Sequence, residues 1–221
     1  AARRVGPQGR AVGVDFSVGM VRELAREAAR DLDRLEWQNV HVCGMDAGAL
    51  AFPDAAFDVV LCGLAVFFFP DLCRALGEIW RVLRPAGQVG LTTFAHDSEH
   101  LTWAIELLRA YDPPQERVAE ETRPTEGTRA APAQSAPDMS TPAGIRVALH
   151  RAGFENVRVI KEEADFVYAD EAEVWASIWC QAAHNELGPT TRDRLKADVF
   201  QRVQAFKQPE GIRPPPMRVL F

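Results

Sequence analysis

The stretch that decides the fold is Asp58-Val-Val-Leu-Cys-Gly63, followed after one amphipathic segment by Arg81-Val-Leu-Arg-Pro-Ala-Gly-Gln-Val-Gly-Leu91. The apolar runs at its two ends predict buried strands, and the segment between them predicts a helix that stops at Pro85 and Gly87. A strand, a helix and a second strand in this order are typical of a parallel βαβ unit. The stretch therefore predicts an α/β fold with a mostly parallel sheet.

The same alternation continues outward from this stretch in both directions. Upstream, the spacing predicts strands over 10–15 and 39–43 with an amphipathic helix between them, and Asp71 is predicted to cap the helix before Arg81. Downstream of residue 95 the pattern becomes less regular. There the sequence predicts helices over 99–111, 141–153, 171–186 and 190–206, and strands over 154–160 and 217–221.

Composition limits the possible functions. The 221 residues carry a net charge of −6, and Lys and Arg do not cluster, which argues against a nucleic-acid groove. The chain has no apolar run of membrane-spanning length, and no secretory leader is visible. The cysteines show no metal-ligand spacing, and most lie in apolar surroundings. We therefore expect a cytoplasmic protein without a metal, a membrane segment or a nucleic-acid partner.

Two aspartates follow predicted parallel strands. Asp15 closes the strand over 10–15, and Asp46 follows the strand over 39–43. Ligands of open α/β sheets bind at the carboxyl ends of the strands, where a carboxylate can accept hydrogen bonds from ribose hydroxyls. Taken singly, Asp15 is more often a helix cap and Asp46 a solvated turn residue.

Four motifs in register carry a family resemblance. They are Val12-Gly-Val-Asp-Phe-Ser17, Gly44-Met-Asp-Ala47 with its continuation to Val60, the strand ending at Gly63, and Leu76-Gly-Glu-Ile-Trp-Arg-Val-Leu-Arg-Pro-Ala-Gly87. In this order and spacing they resemble the class I S-adenosylmethionine-dependent methyltransferases over residues 1–95. The resemblance implies a Rossmann-like three-layer α/β sandwich with S-adenosylmethionine as cofactor. By this resemblance, Asp15 binds the ribose of the cofactor, and Asp46 and Ala47 bind its adenine. Phe16 and Met20 line the adenine, and Cys62 and Gly63 lie beside the methionine part of the cofactor.

The sequence departs from the family pattern in two places. No Gly-x-Gly loop is present, and we expect the family's first strand and that loop to lie upstream of Ala1. The family's Pro-Gly-Gly turn is Pro85-Ala86-Gly87 here, which should not affect cofactor contacts. Because the predicted sheet lacks its central strand, we expect either a truncated sequence or a fragment completed by another chain, with a homodimer as one form.

The predicted organisation is a cofactor-binding core over 1–95, a cap helix and lid over 96–142, and the remainder of the core over 143–221 with cap helices at about 165–210. His96 and His100 follow the fifth family strand and are candidates for a general base, although surface histidines are commoner. Candidate acceptor-pocket residues are Phe67, Trp103, Trp175 and Trp179, with packing of cap against core as the alternative for the tryptophans.

These observations predict methyl transfer from S-adenosylmethionine to a small, apolar metabolite. Two other classes stay open. A catalytically silent relative would use the remaining sheet for dimerisation, and an exposed sheet edge would be its signature. A nicotinamide-dependent oxidoreductase shares an acid after the second strand but does not explain the motif at Asp46.

Overall fold

The computed structural model describes residues 1–35, 39–111, 137–181 and 188–221. It divides into two compact units. The first contains Ala1–Thr92 and Ala143–Arg158, and the second contains Thr93–Pro142 and Val159–Phe221. The helices are α1 Ala2–Val5, α2 Val18–Leu35, α3 Leu72–Val82, α4 Glu99–Arg109, α5 Pro142–Arg151, α6 Glu171–Gln181 and α7 Pro189–Val203. The strands are β1 Ala11–Asp15, β2 Val40–Gly44, β3 Phe57–Gly63, β4 Leu83–Phe94, β5 Lys161–Ala164, β6 Lys207–Gln208, β7 Gly211–Ile212 and β8 Met217–Leu220.

The first unit is built on two parallel strand pairs. β1 pairs with β2 from Ala11↔Val40 to Asp15↔Gly44, and β3 pairs with β4 through the register Val59↔Gln88 to Gly63↔Thr92. Within the described residues, the two pairs do not hydrogen-bond to each other. The predicted α/β class with mostly parallel pairing in this part of the chain is confirmed.

Helix α3 forms where the sequence predicts it. The carboxylate of Asp71 accepts a hydrogen bond of 2.9 Å from the backbone N–H of Arg74, which confirms Asp71 as the N-cap. One face of the helix is buried, through Ala75, Leu76, Ile79 and Val82. Apolar side chains at this three- and four-residue spacing bury one face of the helix and leave its other face available for contacts with loops.

The second unit has a hydrophobic core of its own. Buried side chains from α4, α6, α7 and the β7 region form it: Trp103, Val174, Trp175, Ile178, Leu195, Val199, Val203 and Ile212. Strand β8 pairs antiparallel with β5, and also with Thr93 and Phe94 at the end of β4.

Two sequence predictions about secondary structure differ from the structure, and one element was not predicted. The strand predicted over 154–160 is absent, and β5 begins only at Lys161, because pairing with the C-terminal strand starts at the reciprocal hydrogen bonds of Ile160 with Phe221. Strand β4 begins at Leu83, before the Pro-Ala-Gly turn rather than after it. The β6–β7 hairpin was not predicted, since strands of two residues are too short to show a periodicity.

The division into three parts predicted from the sequence stays a prediction, although the structure also separates units close to residue 95. None of the helices in the described ranges is both long and apolar enough to span a membrane.

Candidate functional site

The carboxyl ends of β1 and β2 lie side by side and bring the two predicted acids together. Asp15 is in register with Gly44, and the backbone N–H of Met45 donates to the carbonyl of Asp15 at 3.1 Å. Asp46 is therefore only two residues beyond the position paired with Asp15. Both side chains are exposed, so they are accessible to a ligand at this edge of the sheet.

The Asp15 side chain is held by the start of α2. One carboxylate oxygen accepts the backbone N–H of Ser17 at 2.7 Å, and the Ser17 hydroxyl accepts the N–H of Met20 at 3.4 Å. The other carboxylate oxygen has no partner among the residues described. Phe16 and Met20, predicted to line the base, are 82% and 60% exposed. Apolar side chains exposed to this extent beside a carboxylate are suited to cover an aromatic ring.

Asp46 stands in a similar turn. One of its carboxylate oxygens accepts the N–H of Gly48 at 2.8 Å, and its carbonyl accepts the N–H of Ala49. Ala47 is half-buried between these two bonds. A small cavity of about 110 Å³ opens at this turn, and its lining includes Asp46, Gly48, Phe69 and Arg74.

The end of β3 provides the next two predicted residues. Gly63 is exposed and in register with Thr92, whose hydroxyl accepts the N–H of Leu64 at 3.0 Å. Cys62 is half-buried, and burial raises the pKa of its thiol. A thiol with a raised pKa stays protonated and is a poor nucleophile, which fits a residue that lines a site rather than one that reacts.

The three consecutive phenylalanines face different ways. A single 3₁₀ turn, Val66–Phe68, leaves Phe67 and Phe68 46% and 70% exposed, with their ring centroids 4.5 Å apart. Phe69 instead lines the cavity beside Asp46. The run therefore contributes one wall residue next to the adenine motif, while the acceptor contact expected of Phe67 stays a prediction.

The remaining candidates belong to the second unit. His96 is exposed, and its backbone N–H donates to the carbonyl of Ser140 at 3.0 Å. Trp103 and Trp175 are buried in the core of this unit, and the indole N–H of Trp103 has no acceptor in the described part of the chain. The side chains of His100 and Trp179 lie outside the described residues. Roles for these residues in acceptor binding or catalysis stay predictions.

Sequence reasoning missed the side chains that hold the segment after Asp46. Arg74, Glu78 and Arg81 on α3 bond to it through hydrogen bonds of 2.7 to 2.8 Å. The signal was present as charged residues at four- and three-residue spacing on a single helix, but no pattern in the sequence shows what such a row contacts. Among the described residues, no group of three or more His, Cys, Asp or Glu side chains is arranged to hold a metal ion.

Comparison with known proteins decides the family. Residues 1–91 match the model of a family described as a methyltransferase domain. Residues 1–91 therefore belong to the class I S-adenosylmethionine-dependent methyltransferases. It is 36% identical over 166 residues to nocamycin O-methyltransferase of Saccharothrix syringae, a match that covers 75% of this chain and 57% of that protein.

Two further relatives match shorter stretches of the chain. Demethylmenaquinone methyltransferase of Listeria welshimeri is 38% identical over 88 residues, 40% of this chain and 36% of that protein. Aklanonic acid methyltransferase DauC of a Streptomyces species is 35% identical over 94 residues, 42% of this chain and 40% of that protein. The chain thus spans between 36% and 57% of the length of these three relatives.

Solved structures show the same fold. The YcgJ protein of Bacillus subtilis superposes with a TM-score of 0.54 at 17% identity, over 96% of this chain and 80% of that chain. The cyclase SpnF superposes with a TM-score of 0.51 at 19% identity, over 99% of this chain and 68% of that chain. These likenesses confirm the Rossmann-like α/β fold, and the name of the second shows that this fold also occurs in a protein described as a cyclase.

The cofactor of the family is S-adenosylmethionine, and the residues at the β1–β2 edge suit it. Asp15 and Asp46 each keep one carboxylate oxygen that no described residue occupies, and the cofactor presents hydroxyls on its ribose and an amine on its adenine. Exposed Phe16 and Met20 offer apolar surface to a base. The donor set of the cofactor and the acceptor set of the site therefore match.

Proposed function

We propose that this chain forms the cofactor-binding part of an enzyme that transfers a methyl group from S-adenosylmethionine to a small, apolar metabolite. The observation that carries the proposal is the register of β1 and β2, which sets Asp15 and Asp46 at adjacent strand ends. Two exposed acids at this place suit a nucleoside better than any single-acid site does.

Each of these residues has a role in cofactor binding. The Asp15 carboxylate accepts hydrogen bonds from the two ribose hydroxyls, and the Asp46 carboxylate accepts one from the adenine amine. The backbone N–H of Ala47 donates a hydrogen bond to a ring nitrogen of adenine. Phe16 and Met20 cover the base, and Cys62 with Gly63 borders the methionine part. The bound cofactor supplies an activated methyl group, so the chain's main task is to orient the acceptor in line with it.

Several observations support a small acceptor. The relatives are named for nocamycin, demethylmenaquinone and aklanonic acid, all of them small molecules. The net charge of −6 disfavours a polyanionic acceptor such as DNA or RNA. We assign His96 as the base for an acceptor whose hydroxyl ionises poorly. Phe67 and the tryptophans Trp103, Trp175 and Trp179 are assigned to the acceptor side, and a cytoplasmic location is part of the same proposal.

Calorimetric titration with S-adenosylhomocysteine tests the proposal. We expect micromolar binding, weakened about tenfold or more in both Asp15→Asn and Asp46→Asn, because each loses a charged hydrogen-bond acceptor. The control is Asp58→Asn, an exposed acid near the start of β3 whose partner is Arg84. Equal weakening in the control would contradict the assignment of Asp15 and Asp46. Tighter binding of NAD than of S-adenosylhomocysteine would contradict the proposed cofactor and favour the oxidoreductase alternative.

One observation favours a second candidate, a non-catalytic partner protein. Strand β3 exposes 51% of Val59 and 67% of Leu61, and in the described residues it pairs only with β4. Exposed apolar side chains on an unpaired strand edge are typical of a surface that pairs with another strand. A folded sample that dimerises with rising concentration, and binds no S-adenosylhomocysteine in either form, would favour this candidate over methyl transfer.

A further inference from the structure

Helix α3 holds the segment after Asp46 through side chains that reach every second residue of it. The Arg74 guanidinium donates to the carbonyl of Gly48 at 2.7 Å. The Arg81 guanidinium donates to the carbonyls of Leu50 and Phe52 and to the carboxylate of Asp54, at 2.8, 2.7 and 2.8 Å. Arg74, Glu78 and Arg81 lie four and three residues apart, so a single face of the helix carries all these contacts. We call residues 48–54 the clamped segment.

Glu78 completes the arrangement from the centre of the helix face. Its carboxylate accepts the N–H of Leu50 at 2.8 Å and pairs with Arg81 through two bonds, of 2.7 and 2.8 Å. A forked pair of this kind fixes the guanidinium plane, and therefore the direction of its remaining N–H groups. The side chains of Glu78 and Arg81 are only 21% and 30% exposed, which limits competition from water.

The clamped segment has few other hydrogen bonds to order it. No residue from Ala47 to Ala56 belongs to a helix or strand, so their backbone groups have no partners in a helix or sheet ladder. Backbone polar groups that leave water need partners. Three carbonyls and one N–H of the segment find theirs on Arg74, Glu78 and Arg81. The conformation of the segment therefore depends on these side chains rather than on secondary structure.

The clamp connects directly to the acid that faces adenine. Gly48 donates its N–H to the Asp46 carboxylate, and its carbonyl accepts from Arg74. A shift of the segment would move Gly48, and the turn that orients the Asp46 carboxylate would move with it. Arg74 also lines the cavity beside Asp46, so the clamp and the site share a wall.

We propose that Glu78 and Arg81 are positioning residues that fix the clamped segment and thereby hold the Asp46 carboxylate in the orientation that binds adenine. This inference rests on the proposed function, since it assigns the purpose of the clamp through Asp46. Neither residue contacts the cofactor in this account. Both act through the backbone between them and Asp46.

Hydrogen–deuterium exchange and titration with S-adenosylhomocysteine, applied to the same variants, test the inference. Arg81→Gln should speed amide exchange across 48–54 about tenfold and weaken S-adenosylhomocysteine binding by a similar factor. The matched control is Arg26→Gln, because Arg26 pairs with Glu23 at the same three-residue spacing on α2 but has no hydrogen bond to a loop among the described residues. Glu78→Gln keeps an acceptor oxygen for Leu50 and tests the same point with a milder change, should Arg81→Gln fail to fold.

The double variant Asp46→Asn with Arg81→Gln separates positioning from general stability. If Arg81 acts through Asp46, the double variant weakens binding by less than the product of the two single factors. Multiplying factors, unchanged exchange in Arg81→Gln, or faster exchange without weaker binding would each overturn the inference. Faster exchange in a chain whose wild type binds no S-adenosylhomocysteine would instead refute the proposed function, while leaving the clamp as a purely structural device.

Discussion

Replacing Ala86 by glycine should stabilise the protein. Ala86 has a φ of +64°, in the left-handed region that a side chain with a Cβ disfavours by about 1–2 kcal/mol. The side chain is exposed, so removing its methyl group costs little buried surface. The greater freedom of glycine in the unfolded chain offsets about 0.5–1 kcal/mol of the gain. The net expectation for Ala86→Gly is a stabilisation of about 0.5–1 kcal/mol, since the family's glycine would return to a turn that suits it.

Urea denaturation followed by far-UV circular dichroism measures this change. The unfolding midpoint of Ala86→Gly should rise without a change in the slope of the transition. The matched control is Ala25→Gly, which removes the same methyl group from an exposed position inside α2 and should destabilise by about 1 kcal/mol. A midpoint for Ala86→Gly equal to or below that of the wild type would refute the argument from backbone strain.

Three other changes test separate parts of the structure. Gly211→Ala should destabilise by about 2 kcal/mol or more in urea titration, because φ is +136° and a Cβ would lie 2.4 Å from the carbonyl oxygen of Tyr168. Asp71→Ala should cost about 1 kcal/mol by the same assay, since the N–H of Arg74 loses its cap, and Asp71→Asn should recover most of it. The hydrogen bond from Arg81 lowers the pKa of Glu78 from 4.5 to about 2, so its carboxylate stabilises the fold above pH 4.5 by on the order of 1–2 kcal/mol and loses this effect as the pH falls toward 2. Glu78→Gln should therefore flatten the stability curve between pH 4.5 and 2, and an unchanged slope would contradict the assignment.

The regular part of the first unit was predictable because its signals are local. Strands β1 to β3 and helix α3 follow from apolar runs, three- and four-residue spacing and the capping residue Asp71, each of which acts within a few positions of the chain. The adjacency of Asp15 and Asp46 followed from the parallel order of strands once those elements were placed.

What the sequence did not reveal depends on contacts between distant residues. The pattern of 154–160 is suited to a strand, but the C-terminal strand β8 pairs with β5 instead. The register of this pair depends on residues that are distant in the sequence, and no local pattern reveals it. The role of Arg81 was equally hidden. Nothing local distinguishes it from Arg84, yet Arg81 binds Leu50, Phe52 and Asp54 whereas the ion pair of Arg84 is to exposed Asp58.

A crystal structure of this chain with S-adenosylhomocysteine would test the central claim most directly. We predict ribose hydroxyls within hydrogen-bond distance of Asp15, the adenine amine on Asp46, and the ring between Phe16 and Met20. A ligand bound elsewhere, or one at this edge of the sheet that contacts neither carboxylate, would contradict the assignment of Asp15 and Asp46 as the cofactor-binding acids.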